Sequence, residues 1–581
     1  MAAYIYVVLR GYFVPPFCDE INTFFTYVRT GDMQPFYAHL DANNHVINSA
    51  LSRLFYVLFG GEIFILRLAN MLAFAGYLYY AFRFKAFFKN STVWLAWFIA
   101  MVTTQFIIDF FHLSRGYGLS MAFLLGAFFH LLSYNRLAST KHFLLGLTLI
   151  SLAMWSNLSV LLSAICVAGV FVFTWVFKHG KKHSIADHSV QLIGLLVLFV
   201  APAVAAILYG FELKNAGSLY YGADSDFWYY SIVRTLRFIT NNWEYSNWFA
   251  AVCILILVVI SIWSTLKRRK ADFIQLHLVL WGSIIGIVAM HYLNDVKYPV
   301  DRAVLHLFIL FSTLLFLEID LFHKKAVRWF GFAIALSSLS LTVVNANLSH
   351  TNLWDTVHLP KAYYTKMLDW QKENNRFPTL SAHGLHKFVL DYYAFLGDDK
   401  FIPSANGDYP SCVADFVILK DDVLWEGSNL YDTVYYHPEY QSGLLQLRET
   451  PDWNVIDSVV KNQQPMTGEY MSLGDFNVAN FLRNPAYISA TFDAESQKEL
   501  KEVQLIFSVL DSTEHRLRYE KIDLHTFYPG LRSKQTITAN YLLENTPVNA
   551  AKIAVFIWNI KGKPLTISNT NTKLHVATRR P

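Results

Sequence analysis

The feature that most constrains this chain is a succession of apolar runs that fills it from the first residue to about Ala346, separated by short polar or basic stretches. They cover 1–14, 66–82, 93–111, 118–133, 143–158, 160–177, 191–210, 247–266, 275–293, 303–321 and 329–346. A bilayer core is crossed by a helix of about 20 mostly apolar residues, so the pattern predicts about eleven transmembrane helices. Composition agrees: 54% of the residues are hydrophobic and 16% charged, too apolar a mixture to clothe an ordinary soluble protein of 581 residues. The first run is short and contains Arg10, which predicts a helix that begins late or a chain start lying upstream. A cleaved signal peptide is not expected, because no small-residue cleavage site precedes the next polar stretch.

Short loops retained in the cytoplasm carry an excess of lysine and arginine. The basic clusters are Arg83, Lys85 and Lys89; Arg136 and Lys141; Lys178, Lys181 and Lys182; Lys267 to Lys270; and Lys324, Lys325 and Arg328. With eleven spans and a cytoplasmic N-terminus, all of them fall on one side. They account for much of the net charge of +5, so no nucleic-acid partner is expected; the partners are membrane lipids. Residues 15–65, the turn at Arg115, Phe211 to Ser246, Asn294 to Arg302 and everything beyond Ala346 are then expected outside. This fits a bacterial inner membrane with a periplasmic C-terminal region, and a eukaryotic endomembrane would satisfy the same charges.

The expected fold is a polytopic α-helical membrane protein with a C-terminal soluble α/β region and a β-sandwich. The divisions are a transmembrane domain over 1–346, an extracytoplasmic α/β region over 347–480 and a sandwich-like domain over 481–581. Gly384 to Leu396 reads as a helix and Ala414 to Leu419 as a strand. Tyr487 to Phe492, Val503 to Val509, Thr536 to Leu543 and Lys552 to Ile560 read as regularly spaced strands. The four cysteines, Cys18, Cys166, Cys253 and Cys412, have neither metal-ligand spacing nor a disulfide framework.

The external stretches hold the chemistry. The first carries Asp19 and Glu20, then Asp41 and His45; the others carry Arg115 with Tyr117, Lys297 with Tyr298, and Asp301 with Arg302. A carboxylate base beside cations that bind phosphate suits transfer of a phosphate-activated group: the base takes the acceptor proton and the cation stabilises the leaving phosphate. Solvated carboxylates and arginines reaching to lipid headgroups are the bland alternative for the same residues.

Five stretches, taken in order, resemble those of the GT-C membrane glycosyltransferases grouped with dolichyl-phosphate-mannose protein mannosyltransferases and bacterial aminoarabinose transferases. They are Asp19-Glu20, His45, Arg67-Leu68-Ala69-Asn70, Ser114-Arg115-Gly116-Tyr117 and Tyr298-Pro299-Val300-Asp301-Arg302. The resemblance covers about residues 1–346. It implies transfer, with inversion, of a sugar from a polyprenyl-phosphate donor to an acceptor glycan, lipid or protein on the outer face. Asp19 is then the expected general base and Glu20 its partner. Arg115 and Arg302 are the expected phosphate ligands, with Tyr117, Lys297 and Tyr298 assisting and Asp41 and His45 in the substrate-binding set. Val46 stands where the family has a proline after the histidine. The lipid-linked sugar is a substrate, so no cofactor is expected, and no metal either: Asp224-Ser225-Asp226 matches a metal triplet by letters only.

Tyr220, Tyr221, Trp228, Tyr229, Tyr230 and Trp243 crowd the loop from Phe211 to Ser246, with Trp248 at its edge, as an interfacial belt or as a lid or acceptor-binding element. A transporter or flippase is the rival reading. It calls for charges near the membrane midplane, whereas Asp109, Glu318 and Asp320 lie near the ends of their runs. A third reading is a non-catalytic assembly component whose tail is the binding element.

Overall fold

A computed structural model of the full chain describes residues 1–179, 188–239, 244–266, 271–322, 325–351, 358–397, 409–462, 464–466, 468–480, 484–496, 500, 502–524 and 534–578. Lys181, Lys182, Lys267 to Lys270, Lys324 and Trp243 lie outside the described residues. The chain forms two compact units: Met1–Val14 with Gly31–Leu353, and Pro15–Thr30 with Trp354–Pro581.

The first unit is helical. Each of the eleven apolar runs lies on helix, and among the described residues seven helices are long and apolar enough to cross a membrane. These are Ile63–Phe87, Gly116–Leu137, Leu158–Lys178, Ser189–Asn215, Ile274–Asn294, Asp301–Leu321 and Lys325–Val344. The runs 1–14, 93–111 and 143–158 form shorter helices, and the run 247–266 lies on the helix Ser246–Leu266. Ala2–Phe13 ends before Pro15 and Pro16, which cannot continue it, and Arg67 Nη1 donates to the terminal carbonyls of Gly11 at 3.2 Å and Val14 at 2.6 Å. The run 93–111 is broken into Ser91–Thr103 and Gln105–Asp109. The hydroxyls of Thr103 and Thr104 bond back to the carbonyls of Ile99 and Ala100, and Thr104 adopts extended backbone between the two helices. A helix absent from the sequence expectation, Val46–Phe59, lies in the first long loop.

Arg10 is wholly buried and fixes the first helix. It donates to Asp109 Oδ1 at 2.9 Å, to the carbonyls of Asn347 and His350 at 2.7 Å each, and to His112 Nδ1 at 3.4 Å. A buried guanidinium needs such a full set of acceptors to offset its desolvation. The other acids in the helical runs are also held: Glu318 lies 3.2 Å from His277 Nε2, and Asp320 accepts the amides of Lys89 at 2.6 Å and Asn90 at 2.9 Å.

In the second unit, strands β1 (Leu380–Ser381), β2 (Phe416–Lys420), β3 (Tyr431–His437) and β4 (Ser442–Leu447) form a sheet of order β1-β2-β4-β3, with only β1 and β2 parallel. The helices Lys361–Asn374 and Gly384–Gly397 belong to the same unit. Next come β5 (Trp453–Lys461), β6 (Gln464–Pro465), β7 (Tyr470–Asn477), β8 (Ala486–Glu495), β9 (Val503–Asp511), β10 (Arg516–Asp523), β11 (Gln535–Leu543), β12 (Ala550–Asn559) and β13 (Thr566–Ala577). They make two sheets, β10-β9-β12-β7 and β11-β8-β13-β5, with β6 against β13. Ile488, Phe492, Leu505, Phe507, Ile553, Val555 and Ile557, alternating along their strands, fill the core between them. The sandwich thus starts at Trp453, earlier than the expected 481, because β5 and β7 supply strands to both sheets.

Candidate functional site

Arg115 is the extended N-cap of the helix Gly116–Leu137, and the turn that presents it is pinned from below. Asn48 Nδ2 donates to the Ser114 carbonyl at 3.2 Å, Asn70 Nδ2 to Asn48 Oδ1 at 2.7 Å, and the Leu119 amide to Asn70 Oδ1 at 3.0 Å. The hydroxyls of Ser52 and Ser114 meet at 3.1 Å. Both glycines of the Arg115-Gly116-Tyr117-Gly118 stretch are sterically required. A Cβ on Gly116 would collide with the Ser156 carbonyl and come within 2.7 Å of the His45 side chain; one on Gly118 would lie 2.5 Å from the Phe110 carbonyl. The Arg-Leu-Ala-Asn stretch is therefore a scaffold: Arg67 closes the first helix and Asn70 anchors the Arg115 turn.

Asn43, Tyr117, Arg302 and His45 converge there. Arg115, 2% exposed, donates to Asn43 Oδ1 and lies 5.9 Å from the Tyr117 ring centroid. Arg302, in the 3₁₀ turn Asp301–Val304, donates from Nε to the Tyr117 hydroxyl at 3.1 Å. The two guanidiniums thus share one tyrosine. His45 packs edge-on to Tyr117 at 5.0 Å, and its Nδ1 lies 3.0 Å from the Ser156 carbonyl, an acceptor that requires the proton on that nitrogen. Burial first, then the Arg115 charge, holds His45 well below the usual imidazole range, so the ring is neutral at pH 7. Its Nε2 is then an acceptor, buried and without a hydrogen-bond partner among the described residues.

The other expected ligands do different work. Asp41 accepts the Asn43 amide at 2.8 Å, and its carbonyl accepts the Asn44 amide at 3.0 Å, so it shapes the turn that brings Asn43 to Arg115. Lys297 pairs with Asp224 at 3.3 Å. Tyr298 is buried, stacks on His291 at 4.0 Å and exchanges both backbone hydrogen bonds with Ala223. Both therefore fasten the loop that follows Asn215. Asp19 and Glu20 lie on the short helix Cys18–Thr23, which belongs to the second unit. Glu20, 1% exposed, accepts the Phe17 amide at 3.3 Å and so caps its own helix; Asp19 is half-buried. No group of three or more metal-ligating side chains occurs among the described residues.

No family model matches the sequence, and no curated protein does. Among solved structures, the arabinosyltransferase EmbB from Mycobacterium smegmatis aligns over 99% of this chain and 64% of its own, at 9% identity and a TM-score of 0.36. ArnT from Cupriavidus metallidurans, in the apo state, aligns over 76% of this chain and 96% of its own, at 9% identity and 0.39. The VP2 subviral particle of infectious bursal disease virus aligns over 26% of this chain and 38% of its own, at 7% identity and 0.19. The chain thus spans less than two thirds of EmbB and of VP2.

Two cavities are lined by near neighbours of Arg302 in the chain, Val304 in one and Val300 in the other. The larger, about 840 Å³, is apolar and lined by Ile254, Leu280, Leu307, Phe311, Leu315 and Ile334 among others. Val304, from the same turn as Arg302, lines it, as do Ser231 and Thr235. The smaller, about 400 Å³, is polar and lies in the loop between Asn215 and Ser246. Its wall residue Tyr221, one of the aromatics expected in an interfacial belt or a lid, donates its hydroxyl to Asp301 Oδ2 at 3.0 Å and accepts from Arg302 Nη1 at 3.3 Å. Asn43 and Arg234 also escaped the sequence reading. Arg234 reaches Asp301 at 2.8 Å, a pairing across distant positions that local sequence does not signal.

Proposed function

We propose that this chain is an integral membrane glycosyltransferase that moves a sugar from a polyprenyl-phosphate donor to an acceptor at the outer face. The observation that carries the reading is the meeting of Arg115 and Arg302 on Tyr117, with an apolar cavity lined in part by Val304 of the Arg302 turn. A phosphate with a long hydrocarbon chain needs both: donors for its oxygens and a dry volume for the first isoprene units. The resemblance of the five sequence stretches supports the same class.

Asp19 is the general base in this reading. Its carboxylate takes the proton of the acceptor, whose heteroatom forms the new bond to the anomeric carbon. The bond from that carbon to the phosphate oxygen breaks, and the electron pair leaves with the polyprenyl phosphate, whose growing charge Arg115 and Arg302 stabilise. Attack from the opposite face inverts the anomeric carbon. The acids within helical runs favour transfer over transport, since Asp109, Glu318 and Asp320 each have a structural partner.

The test uses the full chain in nanodiscs with synthetic polyprenyl-phosphate sugars. Asp19→Asn should lower transfer by roughly 10²-fold or more while leaving insertion and thermal stability unchanged. Full activity in that variant would reject Asp19 as the base. Native mass spectrometry should find a polyprenyl phosphate on the purified protein, with retention weakened by Arg115→Ala and Arg302→Ala. A bound transport substrate, and no covalent product, would overturn the class.

A further inference from the structure

The geometry points to the polar cavity in the loop after Asn215 as the seat of an uncharged glycosyl group. This rests on the transferase reading above and narrows it to donors whose sugar carries neither amine nor carboxylate.

The cavity, about 400 Å³, is at the lower end of the range of about 300–1,000 Å³ for small-molecule sites. Its walls are Tyr220, Tyr221, Asp224, Ser225, Tyr230 and Arg234, together with loop backbone. Phenol rings present flat apolar faces to C–H groups, while their hydroxyls, a serine, a carboxylate and a guanidinium supply alternating donors and acceptors. That combination suits a polyol ring. The charges come in pairs: Arg234 bonds Asp301 at 2.8 Å and Lys297 bonds Asp224 at 3.3 Å. With both cations already neutralised by carboxylates, a charged ligand gains little net attraction there, whereas a neutral one hydrogen-bonds to both pairs without disturbing them.

The cavity is built rather than incidental. Its floor is tied to the stretch before Arg302 by the Ala223–Tyr298 bridge and by the bond of the Ser231 hydroxyl to the Pro299 carbonyl at 2.6 Å. Gly222 has φ 145°, and a Cβ there would lie 2.7 Å from the Lys297 Cβ and 2.8 Å from the Tyr298 carbonyl, so only glycine permits this approach. The Tyr221 ring lies 4.3 Å from the Arg302 guanidinium carbon, so one side chain forms both the cavity wall and the edge of the cation cluster. A sugar and the phosphate esterified to it would occupy adjoining sites across that ring.

The test is binding without a lipid carrier. Full-length protein in phosphatidylcholine nanodiscs is examined by saturation-transfer difference NMR with methyl glycosides: neutral pentosides and hexosides, methyl glucuronide, and methyl 2-amino-2-deoxyglucoside. At least one neutral glycoside should receive saturation, and the charged two should not. Tyr220 and Asp224 are exposed, so Tyr220→Ala and Asp224→Asn should fold normally and each weaken that binding about fivefold. Binding of no neutral glycoside, equal binding of the charged ones, or undiminished binding in both variants would overturn the inference. Since no donor takes part, loss of the transferase reading would leave a positive result standing, whereas a transferase that seats its sugar elsewhere would fail here alone.

Discussion

Asp391 sits on the helix Gly384–Gly397 with 4% of its surface exposed, and its Oδ1 has no hydrogen-bond partner among the described residues. Burial pushes its carboxyl up to about 7, against a smaller opposing pull from Lys387. The folded state therefore keeps a proton that the unfolded chain releases near 3.8. The group favours folding fully below that value, and the contribution is lost as pH rises through about 7. Asp391→Asn should raise the melting temperature of the second unit by a few degrees, more at pH 8 than at pH 5. An identical gain at both values would show that the carboxyl is charged throughout. Single residues were also where the sequence was most ambiguous. It named Arg115, Tyr117, His45 and Arg302, and the fold brings those four together. Residue type alone could not tell that Asp41 is consumed in a turn or that Lys297 and Tyr298 fasten a loop, since those roles depend on neighbours far along the chain. Asn43 and Tyr221 reach the arginines from positions whose side chains have ordinary local explanations.

At the scale of elements, apolar runs were sufficient to place helices because a chain in hydrocarbon must satisfy its backbone internally, and a helix does so within one segment. Interruptions were less legible. The break at Thr104 depends on hydroxyls turning back to carbonyls one turn earlier, and Ser338 supports it from another helix at 3.2 Å. Strand β5 went unread because its burial is partial and irregular along its length, which blurs the two-residue period. The acidic segment after the first helix is the element with most bearing on the proposed activity. Phe24 packs on Tyr392 and Phe395, and Arg29 lies 4.7 Å from the Phe395 ring centroid, so the helix Gly384–Gly397 holds the segment carrying Asp19. Phe395→Ala should loosen that grip by roughly 1–3 kcal/mol. The expected readout is faster tryptic cleavage after Arg29, which is 7% exposed in the intact fold. Unchanged cleavage would mean that the segment is secured without this ring.

For the whole molecule, alternation of basic loops predicts which surfaces face which compartment. In a chain whose native cysteines are replaced by serine, a membrane-impermeant thiol reagent should label Ser458→Cys on β5 in spheroplasts, and Ser139→Cys, between the helices ending at Leu137 and starting at Thr140, only after permeabilisation. The reverse pattern would invert the topology. The division into two units does not follow one cut in the sequence. Residues 15–30 leave the membrane unit and return to it, yet fold with the C-terminal unit, and chain continuity at Val14 and Gly31 stitches the two together three times over, counting the link after Leu353. Recombination that exchanged only the C-terminal portion with a relative's would strand Phe24 and Phe25 against a foreign helix surface. The tail and a short early loop are thus bound to change together, and any hybrid meant to retain Asp19 in its setting must carry residues 15–30 along with their partner.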